Sequence, residues 1–229
     1  MTQQRTLASR LEVTRWWGFW LYGAVALAHV AAITFGLDAI EYPTKLMLMP
    51  ALALAAMWAL RGSSLDRAAT ILYLALAFSW LGDGAAWFFP YLDDELPAML
   101  ACFGLAHLAY IALFAFRVRE RAIPPWTLSY AAWWGVMIAV LWPHLGALLV
   151  PVVIYGAVLA GTAVLATRGS RITAVGGALF LASDTLLALR LFLPGVSADA
   201  TGPWIMATYA AGQGLLVLGI VLLLRRGLR

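Results

Sequence analysis

The sequence predicts an all-α polytopic membrane protein: a single transmembrane domain, residues 1–229, built as a bundle of eight transmembrane helices. Three observations predict it: an extreme apolar composition, eight apolar runs of helical length, and basic residues confined to alternate loops. Hydrophobic residues make up 64% of the chain and charged residues 11%, with a mean hydropathy of +0.88. Soluble proteins are roughly half apolar and about a quarter charged, so a water-soluble fold of this length could not bury so much apolar surface. Eight spans of ~20 residues leave only short loops, which excludes a separate soluble catalytic domain.

The apolar runs are bounded by charged residues, Pro or Gly. They cover residues 16–36, 43–60, 69–89, 97–116, 128–142, 146–167, 172–193 and 203–224. A backbone in lipid must satisfy its own hydrogen bonds, so runs of this length that are rich in Leu and Ala are predicted to be helices. The basic start followed by an apolar run is also typical of a signal peptide. Because this run is long and further runs follow directly, we expect a retained first span.

Charged loop residues predict the orientation. Thirteen of the fifteen Lys and Arg residues lie in the N-terminal segment, in the loops after the second, fourth and sixth runs, and in the C-terminal tail, whereas the other loops are acidic. By the positive-inside rule, both termini are predicted to be cytoplasmic, which requires an even number of spans. The basic residues form no stripe with interleaved aromatics, so we expect no nucleic-acid partner. The lone Cys102 is expected to be a buried small hydrophobe.

A faint internal repeat leaves open whether the chain is two four-helix halves. A shift of 101 residues aligns Pro50 with Pro151, Arg67 with Arg168, and Asp83 with Asp184. Membrane folds are often built from repeats. Few identities survive the shift, however, and apolar runs also align by chance.

Two aspartates do not fit the loop pattern. Asp83 is predicted well inside the third helix and Asp184 inside the seventh. A carboxylate at membrane depth costs ~2.5–3.5 kcal/mol or more unless it is paired, protonated or hydrated. Each could hold neighbouring helices together by hydrogen bonds. The presence of two, each after a small residue (Gly82, Ser183), favours a functional role.

Other polar residues lie at similar depth. They are Lys45 at the start of the second helix, His107 and Tyr110 in the fourth, Tyr155 in the sixth, Ser183 in the seventh, and Tyr209 and Gln213 in the eighth. Most lie within about ten residues, ~15 Å, of the outer ends of their helices, so a polar site is predicted in the outer half of the bilayer. His29 and His144 are interpreted as structural. Arg190 could pair with Asp184, bind a lipid phosphate, or extend to the membrane surface, and we favour the last.

Motifs of soluble enzymes are absent: the sequence contains no Gly-rich phosphate loop, no G-x-S-x-G and no H-E-x-x-H. No spacing of metal ligands involves His107 and the two aspartates. We therefore expect neither a metal nor a cofactor.

Several stretches resemble the YhhN-like family of eight-helix membrane proteins, which includes the lysoplasmalogenases. They are residues 78–83 (FSWLGD), 176–188 (GGALFLASDTLLA), 104–110 (GLAHLAY), 43–45 (PTK) and 209–213 (YAAGQ). The stretch that ends in Ser183 and Asp184 is the most specific. The resemblance implies an enzyme of the bacterial cytoplasmic (inner) membrane that cleaves the vinyl ether bond of a lysophospholipid, a lysoplasmalogen, to a fatty aldehyde and a glycerophospho-base.

The residues suit that chemistry. Hydrolysis of a vinyl ether begins with protonation of the carbon–carbon double bond, and water then attacks the oxocarbenium ion. One protonated carboxyl and one carboxylate can divide this work, as they do in glycosidases. Our hypothesis is that Asp83 and Asp184 are catalytic, that Lys45 binds the lipid phosphate, and that the remaining polar residues bind substrate and hold water. Which aspartate is the acid stays open.

Two other function classes remain. A small-molecule or proton-coupled transporter would also place aspartates in the membrane and show a repeat. A lipid-binding sensor would bind lysolipid without turnover, but the sequence offers no signalling tail. The oligomeric state and the head-group preference are not predicted.

Overall fold

The computed structural model describes residues 16–62 and 67–226, and within these residues all regular secondary structure is helical. This confirms the predicted all-α class. The long helices are α1 (Trp17–Phe35), α2 (Asp38–Ala59), α3 (Arg67–Asp83), α4 (Leu96–Phe116), α5 (Leu128–Leu145), α6 (Leu149–Ala166), α7 (Arg171–Phe192) and α8 (Ala198–Arg226). Each corresponds to one predicted apolar run. The basic N-terminal segment and the last three residues, part of the predicted charge pattern, lie outside the described residues.

Two helices begin earlier than predicted, because a proline was taken as their first residue. Helix α2 begins at Asp38 and contains Pro43, and α8 begins at Ala198 and contains Pro203. Each proline lies in the second turn, where its missing N–H removes one hydrogen bond. Acidic residues in the first turn, Asp38 in α2 and Asp199 in α8, favour the extra turn through the helix dipole.

Helix α3 ends before the end of the predicted run 69–89, and this corrects the prediction that Asp83 lies well inside the helix. The helix ends at Asp83, and after Gly84 the chain forms a single helical turn, Ala85–Phe88. A Cβ at position 84 would lie 2.5 Å from the Phe88 ring and 2.8 Å from Leu46 Cδ2, so the glycine lets both side chains pack closely against this turn. Asp83 is therefore a helix-terminal residue, whereas Asp184 lies within α7.

Five helical stretches in the described residues are long and apolar enough to cross a membrane, so the chain is an integral membrane protein. They are α1, α4, α7, α8 and the 42-residue stretch Pro125–Ala166, which contains both α5 and α6. Helix α3 has only 17 residues, and α2 carries Asp38, Glu41 and Lys45. Eight spans and two cytoplasmic termini remain predictions.

Packing divides the bundle into a dense end and a hollow end. Helices α7 and α8 have the most extensive contact, α3 packs on α4, and α1 on α2, while α5 packs mainly against α6. The largest fully buried side chains include Leu52, Leu72, Phe114, Leu216 and Ile220. They lie toward the end that carries the basic loops. The opposite end, where α1 meets α2 and α7 meets α8, holds a cavity.

Candidate active site

A cavity of about 370 Å³ lies between the helices at the end predicted to face away from the cytoplasm. Every long helix except α5 contributes to its wall. Its lining is mixed: apolar side chains such as Phe103, Leu187 and Met206 alternate with charged and polar ones. The volume lies within the range of small-molecule sites, and a wall of this kind suits an amphipathic ligand.

The structure brings Asp83 and Asp184 together on this wall, and each accepts a hydrogen bond from a tyrosine of another helix. The Tyr209 hydroxyl donates to Oδ2 of Asp83 at 2.7 Å. The Tyr155 hydroxyl donates to Oδ2 of Asp184. Within the described residues, Oδ1 of each aspartate accepts no hydrogen bond, which leaves one oxygen of each carboxyl available to a bound molecule.

The small residue before each aspartate allows close helix packing. A Cβ at Gly82 would lie 2.7 Å from the Phe103 ring, so glycine lets this α4 side chain approach the end of α3. Ser183 is buried, and its hydroxyl donates to the Ile205 carbonyl at 3.0 Å, which ties α7 to α8. Both residues therefore fix the backbone that carries a carboxyl group.

Three of the predicted substrate-binding residues lie behind the wall rather than on it. Tyr110, Gln213 and His107 are fully buried and do not line the cavity. The Tyr110 hydroxyl donates to Gln213 Oε1 at 2.7 Å, and Gln213 Nε2 donates to Ser79 Oγ at 3.0 Å. This chain of hydrogen bonds joins α4, α8 and α3 directly beneath the site.

His107 supports the site from behind. Its Nδ1 lies 3.2 Å from Thr162 Oγ1 in α6. The imidazole packs edge-to-face against Tyr155 and Phe180, with ring centroids 5.7 and 4.7 Å away. Because Tyr155 holds Asp184, His107 is one contact removed from the cavity and supports it through that tyrosine.

This placement predicts that Tyr110→Phe lowers stability more than it lowers activity. The change leaves the buried Gln213 carbonyl without its donor, which costs about 1–3 kcal/mol. Thermal unfolding in detergent should show a lower midpoint, while KM for any substrate stays within about twofold of wild type. A large rise in KM with unchanged stability would instead place Tyr110 in contact with substrate.

The other predicted substrate-binding residues do line the cavity. Two residues that were not predicted to be part of the site line it as well. Lys45, Tyr155, Ser183 and Tyr209 are on the wall together with the aspartates. His29, interpreted as structural, and Arg190, expected to extend to the membrane surface, also line the cavity.

The sequence did contain a feature that could have placed His29 in the site. The residue lies seven residues before Gly36, where α1 ends, which is within the same ten residues that grouped the other polar side chains. For Arg190 the sequence left binding of a lipid phosphate open, but extension to the membrane surface was favoured because that is typical of an arginine in a last helical turn. Its guanidinium lies near α8, where a Cβ on Gly202 would lie 3.9 Å from a terminal nitrogen.

Comparison with known proteins agrees with the sequence resemblance. Residues 40–220 match the sequence model of the YhhN family. Two curated relatives, each named lysoplasmalogenase, come from Mycobacterium bovis and Mycobacterium tuberculosis. Each is 34% identical over 129 aligned residues, and the match covers 52% of this chain and 49% of the relative, so the chain spans about half the length of the curated relatives it matches. No solved structure matches the chain. Since the family match extends from α2 into α8, the chain belongs to the YhhN family.

Proposed function

We propose that this protein is an intramembrane hydrolase of a bacterial inner membrane that cleaves the vinyl ether bond of lysoplasmalogens. The products are a fatty aldehyde and a glycerophospho-base. The observation that carries the proposal is the pair of tyrosine-held aspartates in one cavity of an integral membrane protein. The name of the two mycobacterial relatives supports the substrate.

The reaction requires one proton donor and one negative charge. A protonated aspartate delivers its proton to the β-carbon of the vinyl ether, and the α-carbon becomes an oxocarbenium ion. The second aspartate, as a carboxylate, stabilises this cation and takes a proton from the attacking water. The resulting hemiacetal collapses when its hydroxyl proton passes to the glycerol oxygen, which releases aldehyde and alcohol. One water is consumed, and the proton gained by the second carboxyl returns to the first.

The tyrosines fix the geometry of both carboxyl groups. Because Tyr209 and Tyr155 each occupy Oδ2 of one aspartate, the free Oδ1 atoms are the oxygens that can contact substrate. A hydroxyl donor also stabilises a carboxylate, so this arrangement suits the aspartate that stays charged. Precise positioning of this kind supplies much of the rate enhancement of enzymes.

The cations on the wall suit the phosphate of the substrate. Lys45 from α2 and Arg190 from α7 line the cavity, and neither forms a salt bridge with a described residue. A phosphate bound between them would place the glycerol next to the aspartates and the alkenyl chain among the apolar side chains. Phosphate is a preferred ligand of both residue types.

We therefore expect Lys45→Gln and Arg190→Gln each to raise KM for a lysoplasmalogen about tenfold or more, since hydrogen bonds to charged groups contribute about 1.5–3 kcal/mol. Their kcat should change much less, because the phosphate does not react. Steady-state aldehyde release measures both constants. Arg171→Gln, an exposed arginine at the opposite end of the bundle, is the matched control. An unchanged KM in both cavity variants would exclude this phosphate site.

The decisive test of the function is direct. Detergent-purified protein is incubated with a lysoplasmalogen, and the released aldehyde is quantified. Absence of aldehyde at high enzyme concentration would contradict the proposal. Movement of a solute across sealed vesicles without aldehyde release would identify a transporter instead.

A further inference from the structure

The end of the bundle opposite the cavity carries a feature that the proposed chemistry does not use. Three segments that are far apart in the sequence meet there: the loop after α4, the turn between α6 and α7, and the end of α8. They converge on Gly169, where a Cβ would lie 3.3 Å from Phe114 Cε1 in α4 and 3.1 Å from Leu223 Cδ1 in α8. The missing side chain lets the three segments pack closely against one another.

Hydrogen bonds hold these segments together. The backbone N–H groups of Glu120 and Arg121 donate to the Arg168 carbonyl at 2.8 and 2.9 Å, which ties the loop after α4 to the α6–α7 turn. Val118 is buried and anchors the same loop in the core. The Glu120 carboxylate lies 4.0 Å from a guanidinium nitrogen of Arg226, in the last turn of α8. The surface that the three segments form is therefore a fixed part of the fold.

This surface is strongly basic. Within the described residues, Glu120 is the one carboxylate at this end of the bundle. Its pair with Arg226 is exposed, so it offsets little of the charge. Arg171 is the first residue of α7, where a positive charge is also unfavourable with the helix dipole. Most of the positive charge thus has no compensating carboxylate. The arginines, which we call the basic patch, are Arg117, Arg119, Arg121, Arg168, Arg171 and Arg226.

Membrane orientation explains only part of this arrangement. The positive-inside rule calls for basic residues in these loops, but it does not call for three loops to be joined around one point. Like charges held close together repel and destabilise the compact state. A fold that fixes so many arginines together is therefore expected to bind an anion from outside the chain.

The side chains beside the basic patch indicate the kind of anion. Phe116, Trp126 and Leu128, which flank the loop after α4, are each more than half exposed. Helices α4 and α8 are long and apolar enough to cross a membrane, so their ends reach the level of the lipid head groups. Basic pockets between transmembrane helices bind anionic head groups. An anion at this depth, next to exposed apolar side chains, is a lipid phosphate that carries hydrocarbon chains.

We propose that the basic patch is a binding site for an anionic phospholipid. Guanidinium groups match the geometry of phosphate and bind it through paired hydrogen bonds. The acyl chains lie along the exposed apolar side chains around the loop between α4 and α5. The bound lipid neutralises the patch and joins the ends of α4, α7 and α8. This site lies at the other end of the bundle from the cavity, and it does not depend on the proposed hydrolysis.

The test measures lipid binding to the full chain in a nonionic detergent, by native mass spectrometry and by thermal unfolding. Phosphatidylglycerol, which is anionic, is compared with zwitterionic phosphatidylcholine of the same acyl chains. Each arginine near an anionic lipid contributes a factor of about five in affinity. We therefore expect phosphatidylglycerol to bind about tenfold more tightly or better and to raise the unfolding midpoint further. An increase from about 0.05 to about 0.5 M NaCl should remove most of this preference, because salt screens exposed charges.

Paired substitutions locate the site. Arg119→Gln with Arg121→Gln removes two exposed charges from the patch. This pair should weaken phosphatidylglycerol binding about tenfold or more and leave phosphatidylcholine binding within about twofold of wild type. Arg119→Lys with Arg121→Lys keeps the charge and should keep most of the preference. The matched control is Arg61→Gln with Arg67→Gln, which removes the same charge beside the α2–α3 loop, outside the patch, and should change the affinity by less than about threefold.

Three results would overturn the proposal. One is equal affinity of the wild type for the two lipids. Another is a preference that survives the paired glutamine substitutions at Arg119 and Arg121, or that the control pair loses to the same extent. The third is displacement of phosphatidylglycerol by inorganic phosphate at the same concentration, which would identify a site for a free anion. Because the readout is binding, each result holds whether or not the protein releases aldehyde.

Discussion

Asp83→Asn and Asp184→Asn are each expected to reduce aldehyde release from a lysoplasmalogen by about 10²- to 10⁴-fold, the usual contribution of general acid–base catalysis. Asparagine has the shape of aspartate and can accept the tyrosine hydrogen bond through its amide oxygen, so the cavity should keep its form. It can neither donate a carboxyl proton nor carry a negative charge. The loss should therefore appear in kcat, with KM within about threefold of wild type.

The matched control is Asp93→Asn, which removes an exposed carboxyl from the loop before α4 and should leave the rate unchanged. The double variant should be about as slow as the slower single variant. The mechanism needs both carboxyl groups, so removing the second one costs little once the first is gone. Thermal unfolding in detergent checks that each variant folds. A folded Asp83→Asn or Asp184→Asn enzyme within threefold of the wild-type rate would exclude the two-aspartate mechanism.

The common depth of the polar side chains was the sequence feature that predicted the site best. Asp83, Asp184, Tyr155 and Tyr209 do share one cavity. Depth is readable from sequence because an α-helix rises a constant ~1.5 Å per residue. The direction in which each side chain points was not readable, since the helices are apolar on every side. Depth could therefore not separate Tyr209, on the cavity wall, from Gln213, one turn further along and behind it.

The pairing of tyrosines with aspartates also lay beyond the sequence. Asp83 and Asp184 align under the 101-residue shift, but their partners Tyr209 and Tyr155 have leucines at the aligned positions, Leu108 and Leu54. Each partner comes from a helix that the shift does not relate to the other. Contacts between helices depend on rotation and tilt, which a single apolar sequence does not specify.

Helix ends were predicted well in α1, α4 and α7 and poorly at the start of α2 and α8. Helices α1, α4 and α7 begin and end within about one residue of the predicted runs, which is within the usual uncertainty of a helix end. Proline was taken as a first residue in α2 and α8, although a proline in the second turn is tolerated when acidic residues favour the turn before it.

The second large effect concerns the glycines between α7 and α8. Gly176→Ala and Gly212→Ala are each expected to destabilise the protein by about 1–3 kcal/mol, the usual cost of overpacking. A Cβ at Gly176 would lie 2.7 Å from the Leu216 nitrogen, and one at Gly212 would lie 2.8 Å from the Phe180 nitrogen. These are backbone atoms, which cannot rotate away, so the two helices must separate.

Separation should also reach the chemistry, because α7 carries Asp184 and α8 carries Tyr209, and the bond from Ser183 to Ile205 joins them. We expect a thermal midpoint lower by several degrees, at roughly 2–4 °C per kcal/mol, and a lower kcat. Gly104→Ala is the control, since a Cβ at this site in α4 meets nothing within 4 Å. Replacing an open helical glycine with alanine should leave the midpoint unchanged or raise it. If all three substitutions behaved alike, close backbone contact between α7 and α8 would not be what holds this side of the site together.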